Sequence, residues 1–177
     1  YPYAQITRNK IPDDIQNFYI SHEGFIGVFD EELKEDDYDD IEENKIVREA
    51  NEGWLGMTDK YWMAAVVPKK GENFKSTFLY KNAFKANYIL NNPTIIKPST
   101  SNSNEVKLFV AAKEVETIDT YAADQQINKF DLVIDWGWFY FFTKPLFFII
   151  DYLFKYFGNF GTAIVIITIG IRLIFFP

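Results

Sequence analysis

Few residues of this chain combine the type and the setting that chemistry needs. Its single histidine, His22, stands beside Glu23, a pairing that general acid–base work could use. A lone histidine in the turn-like stretch Ser21-His22-Glu23-Gly24 is more often a surface residue than a catalyst. There is no cysteine, which removes zinc–thiolate sites and disulfides. No catalytic set, metal site or cofactor motif is read. Arg172 stands out instead, as the one strongly polar residue between Phe160 and Phe176. A charge within such a run is costly unless it faces a polar, water-accessible cavity, or unless its long side chain snorkels to the headgroups. A second constellation is Lys144, Asp151 and Lys155. Asp151 and Lys155 are an i,i+4 pair, and Lys144 precedes Asp151 by seven, so a helix would place all three on one stripe.

The elements that must position these residues lie in the last quarter of the chain. The 17 residues from Phe160 to Phe176 would cover about 25 Å as a helix, close to the ~30 Å hydrocarbon core of a bilayer. A helix apolar on all faces is deep core or a membrane span, and a transmembrane helix with its entry turn is expected over residues 158–177. Gly158-Asn159-Phe160-Gly161 supplies the turn. Pro145 suits a helix's first turn, and residues 145–157, apolar apart from Asp151 and Lys155, are expected to form an amphipathic helix lying in the membrane interface. Residues 131–144 form an aromatic pre-membrane linker, in which Trp136, Trp138 and Tyr140 stand where rings find both water and lipid. Fifteen of the 33 aromatic residues fall between Asp131 and Pro177, so the excess belongs to this membrane end.

Residues 1–130 read differently. Phe18-Tyr19-Ile20, Phe25–Phe29, the long apolar run Gly53–Pro68, Phe74–Tyr80, Ala86–Leu90 and Val106–Ala112 are strand candidates separated by turn signals. Residues 97–104 are the most loop-like stretch, and Lys113–Lys129 has helical spacing. Such short, regularly spaced strands predict a mainly β fold, an antiparallel sandwich. Net charge is −7, yet Asp30–Glu43 holds ten acids and one lysine, so the remainder is nearly balanced. That acidic stretch reads as a solvated loop or short helix. The chain has no basic face for nucleic acid. It starts without a methionine and stops at a proline after an apolar helix, so it is expected to be part of a longer chain.

Several blocks resemble the bacterial YidC membrane insertases. They are Gly53-Trp54-Leu55-Gly56-Met57-Thr58-Asp59-Lys60-Tyr61-Trp62 with Pro68, Trp136-Gly137-Trp138, Lys144-Pro145-Leu146-Phe147, Gly158-Asn159-Phe160-Gly161 and Ile171–Pro177. The resemblance implies that residues 1–130 are the later part of a periplasmic supersandwich similar to galactose-mutarotase folds. It also implies that residues 158–177 begin the insertase core in the bacterial inner membrane. Arg172 would line a hydrophilic groove that receives polar segments of nascent membrane proteins, with Sec translocon components and the bilayer as further partners. Ala111-Ala112 departs from the Gly-Pro that the family often has there. An insertase of this kind is not an enzyme. The alternative is a membrane-anchored sandwich that binds sugar or docks the translocon, with no insertase role.

Overall fold

The computed structural model describes residues 1–11 and 21–176, so the strand candidate Phe18-Tyr19-Ile20 and the final Pro177 lie outside the described residues. The chain divides into two compact units, residues 1–135 and 136–177, rather than at residue 130.

The first unit is two antiparallel sheets. One orders β1 (Tyr3–Arg8), β8 (Phe84–Leu90), β7 (Phe74–Tyr80) and β4 (Ile46–Ala50). The other orders β3 (Glu32–Asp37), β2 (Gly24–Phe29), β5 (Gly53–Thr58), β6 (Trp62–Pro68) and β9 (Val106–Ala112). Their consistency with a sandwich follows from the side-chain pattern. In β8 the buried residues are Phe84, Ala86, Tyr88 and Leu90, every second position, as expected of a sheet with one covered face. In β2 every residue is buried, because the five-stranded sheet is covered twice. One face meets the four-stranded sheet, joining Phe25, Phe29, Leu55, Met57 and Val66 to Phe74, Phe78, Phe84, Tyr88 and Leu90. The other packs Ile26, Val28, Trp54, Met63 and Ala65 against Ile118 of α2 (Val115–Asp124), against Ile127, and against Phe130 and Val133 of a following 3-10 turn. Trp54 is fully buried there, edge-on to Phe130 at 5.3 Å, with its indole N–H donating to the Asn128 carbonyl at 3.2 Å, as a buried indole requires.

Two glycines let this happen. A Cβ on Gly53, whose φ is +141°, would lie 1.8 Å from the Val28 carbonyl oxygen, and one on Gly56 would lie 2.1 Å from that of Ala64. The Gly-Trp-Leu-Gly spacing is therefore steric: strands crowd together on both sides of a large ring.

Ion pairs tie one sheet to the other. Arg48 of β4 donates to both carboxylate oxygens of Asp36 on β3, at 2.6 and 2.8 Å, and its guanidinium lies over Phe29 and Phe78. Arg8 of β1 pairs with Asp59, just past β5, whose carboxylate also accepts from the Tyr38 hydroxyl at 3.4 Å.

Several expectations need correction. The acidic stretch 30–43 is neither loop nor helix alone, because β3 occupies its middle and α1 (Tyr38–Glu43) its end. Asp36, Tyr38 and Ile41 are buried, so its apolar minority anchors it. The run Gly53–Pro68 is a hairpin of two strands, β5 and β6. β1 and β4 carry too little apolar character to be read as strands, and they form as edges. Ala111 and Ala112 continue β9, opposite Met63 and Trp62.

In the second unit, α3 (Tyr140–Phe157) begins five residues before Pro145, which lies inside it. α4 (Phe160–Phe175) follows. Gly158 in the left-handed conformation ends α3 and the Asn159 side chain accepts from the Thr162 N–H at 3.1 Å to start α4, a stop and a start in adjacent residues. Phe176, ahead of a proline, is extended, as a pre-proline residue prefers to be.

Two measurements check this packing. Gly56→Ala should lower unfolding stability by about 3 kcal/mol, since backbone must move to admit the methyl, whereas Gly71→Ala, with open space but φ +83°, should cost about 1 kcal/mol. Equal losses in urea titration would contradict the steric reading. Burial pushes the Tyr38 hydroxyl up from 10.0 to about 12, with the Arg8 charge opposing. The folded state then holds a proton that the unfolded state releases between those values, so stability falls as pH rises through that window, by on the order of 2 kcal/mol. Tyr38→Phe should flatten that fall, and an unchanged alkaline slope would contradict it.

Candidate membrane-facing site

α3 has three faces. At ~100° per residue, Lys144, Asp151 and Lys155 share one stripe. The Lys155 ammonium lies 2.9 Å from the Asp151 carboxylate, and the Lys144 ammonium sits 5.8 Å from the ring centres of both Trp136 and Tyr140. Trp136 is in turn edge-on to Phe147 at 5.7 Å. The structure thus brings together Trp136, Lys144 and the Asp151–Lys155 pair along one side. Trp138 stands apart, 93% exposed. An exposed i,i+4 pair stabilises by only ~0.3–0.5 kcal/mol, so the stripe fixes which way the helix faces more than whether it forms.

A second face of α3 carries the half-buried Thr143, Leu146, Ile150 and Leu153, spaced three and four apart as for a packed helix. α3 and α4 pack on each other, with the Phe154 and Phe160 rings 5.7 Å apart. α4 shows the matching pattern: Ala163 is buried and Ile166, Ile167, Gly170 and Ile171 are half-buried. The third face of α3, with Phe142, Ile149 and Tyr156, is apolar and exposed.

Arg172 comes nine residues after Ala163, two and a half turns on, so it projects from the side of α4 opposite its packed face. It is exposed and has no charged partner among the described residues. It sits in the last turn of α4, where the helix dipole favours a cation. Thr168, one turn earlier on the same side, was not singled out by sequence; its hydroxyl donates to the Ile164 carbonyl at 2.7 Å.

The surface around these residues is unusual for a chain in water. α3 has no buried residue, and Phe141, Tyr152, Tyr156, Leu173, Ile174 and Phe175 are all at least 70% exposed. Contiguous apolar surface on this scale marks an interaction with protein or membrane. Among the described residues no helix is long and apolar enough to cross a membrane. α4 has 16 residues, about 24 Å, short of the ~30 Å hydrocarbon core.

His22 has a structural place. Its ring is held between the Phe25 carbonyl, 2.9 Å from Nε2, and Asp37, 3.4 Å from Nδ1, and its backbone N–H donates to Asp135 at 3.2 Å. Both ring nitrogens are engaged in joining strand ends. No group of three metal-ligating side chains occurs among the described residues.

Comparison with known proteins adds to this geometry. The family model described as the YidC periplasmic domain matches residues 1–149. A membrane protein insertase YidC of Pelagibacter ubique is 52% identical over 177 residues, covering 100% of this chain and 32% of the relative. Those of Agrobacterium fabrum and Brucella melitensis are 42% and 40% identical, each covering 99% of this chain and 30% of the relative. The chain spans about a third of the length of the curated relatives it matches.

Proposed function

Because the chain belongs to the YidC periplasmic domain family, we propose that it is part of a membrane protein insertase of the bacterial inner membrane. In this reading the sandwich stands in the periplasm. α3 lies in the membrane interface with Lys144, Asp151 and Lys155 toward water, and Trp136 and Trp138 sit at headgroup level. α4 begins the membrane core. A 16-residue helix is short for a crossing, and a short span is accommodated by local thinning of the bilayer, which also lowers the barrier to an inserting segment. The nascent membrane protein would pass alone or together with the Sec translocon.

The observation that carries the proposal is the placement of Arg172. The only charge of α4 is exposed and turned away from the face that packs. A guanidinium cannot shed its proton, so its cost in an apolar layer is tolerable only beside water or an acidic partner. The arrangement suits a hydrated groove whose other walls come from further helices. Acidic residues of an inserting polypeptide would meet the Arg172 guanidinium there, and the polar stretch would cross a shorter apolar distance.

In the full-length insertase, Arg172→Ala should slow insertion of substrates with acidic translocated tails by about tenfold, equivalent to ~1.4 kcal/mol and in the range of one charge-assisted hydrogen bond. Arg172→Lys should keep most of the rate, and substrates without acidic tails should be little affected. Unchanged insertion of every acidic-tailed substrate would remove the groove role.

A further inference from the structure

One end of the five-stranded sheet gathers turns that the membrane reading does not use. The β2–β3 turn, the turn before β5, the turn after β6 and the start of β9 all lie there, because Phe29 stands opposite Glu32 and Gly53, and Pro68 stands opposite Val106. The chain beyond α2 reaches the same end, where the Asn128 carbonyl accepts from the Trp54 indole N–H. Between them is a cavity of about 460 Å³, a size usual for small-ligand sites. Val67, Pro68, Phe74 and Ile127 give it an apolar part, and most of its remaining lining is charged or amide.

The charges are sorted by strand. Glu31 lies in the β2–β3 turn and Glu52 just before β5, whereas Lys69 and Lys70 follow β6 and Lys107 belongs to β9. The sheet order β3-β2-β5-β6-β9 therefore puts carboxylates on one side of the cavity and ammonium groups on the other. The three lysines outnumber Glu105, the one carboxylate beside them. Among the described residues none of the three forms an ion pair. On the acidic side Asp30 accepts from the Asn51 and Glu52 N–H groups, and Lys129 donates to the Glu31 carbonyl at 2.5 Å. That side stays negative, because one lysine faces three carboxylates there and the C-terminal end of α2 adds partial negative charge. Glu31 and Gln126 of the lining hold φ of 71° and 52°, left-handed conformations that cost free energy and gather at ligand sites. The only ring in the lining, Phe74, is fully buried, so the cavity lacks an exposed platform on which a sugar could stack.

We propose that this cavity binds a short peptide with free termini, its ammonium group beside Glu31 and Glu52 and its carboxylate among Lys69, Lys70 and Lys107. Opposed surplus charges are matched by a ligand that carries one sign at each end. β5 and β9 are two strand spacings apart, about 10 Å, and an extended peptide of about three residues spans a similar distance. The Gln125 and Gln126 side-chain amides, which both donate and accept, line the cavity and suit the peptide groups in between. The inference goes beyond insertion and does not rest on the groove role of Arg172.

Calorimetric titration of the full-length insertase with trialanine tests it. Saturable binding at a single site per chain is expected. Trialanine acetylated at one end and amidated at the other should bind ~100-fold more weakly, since each end loses a charge-assisted hydrogen bond. Lys69→Gln with Lys70→Gln, at two exposed positions, should weaken trialanine ~10-fold or more, and Glu52→Gln should do so by a similar factor. Absence of saturation at millimolar trialanine would overturn the proposal. So would equal affinity for the capped peptide, or an affinity that none of these substitutions changes. Tighter binding of maltose than of trialanine would mark a sugar site and overturn it too. The capped-peptide comparison uses the unmodified protein, so it decides even if a variant fails to fold. These readouts are independent of the insertion assay on Arg172.

Discussion

Apolar surface must be removed from water, at roughly 25 cal/mol for each Å², and the two units of this chain meet that demand in different ways. In residues 1–135 the five-stranded sheet is covered on both faces, which is why β2 and β5 read as unbroken apolar runs and why Gly53 and Gly56 must lack a side chain. In residues 136–177 two helices cannot cover each other fully. α3 lends one face to α4 and leaves another, with Phe142, Ile149 and Tyr156, exposed among the described residues. The proposed bilayer is the medium that completes the second unit.

Polar groups follow the same logic. Asp36 is buried, and it has Arg48 on both oxygens; leaving such a charge without its partner costs several kcal/mol. Asp59 ties Arg8 and Tyr38 at the end of β5. The Asp151–Lys155 pair and the ring-stacked Lys144 keep α3's charges on one side. Arg172 breaks the pattern by having no charged partner among the described residues, and that is the reason to look for function there rather than at His22, whose ring nitrogens both have neighbours.

Much of this was legible in the residues. Phe74–Tyr80 and Ala86–Leu90 read as strands, although β8 begins two residues earlier, at Phe84, and Gly158-Asn159 marks a helix stop and start. The edges were not legible. β1 and β4 have weak alternation because edge strands bury little, and they are held by ladders to β8 and β7 that a single stretch of sequence does not reveal. The acidic stretch concealed β3 because its charges protect an edge while Asp36 turns inward to Arg48. Pro145 suggested the first turn of a helix, yet α3 begins at Tyr140, where aromatic residues read as linker. The stripe of Lys144, Asp151 and Lys155 was visible from spacing alone, whereas the orientation of Arg172 relative to Ala163 needed both ends of α4 to be known.

The membrane reading of α3 can be tested most directly by cysteine labelling, since residues 1–177 contain no cysteine. Single cysteines would be placed along α3 of the full-length protein in intact membranes and challenged with a membrane-impermeant maleimide. If α3 lies in the interface, cysteines replacing Phe148, Asp151 and Lys155 react, while those replacing Phe142, Ile149 and Tyr156 do not, although the protein itself leaves these exposed. Equal reactivity at both sets of positions would contradict it.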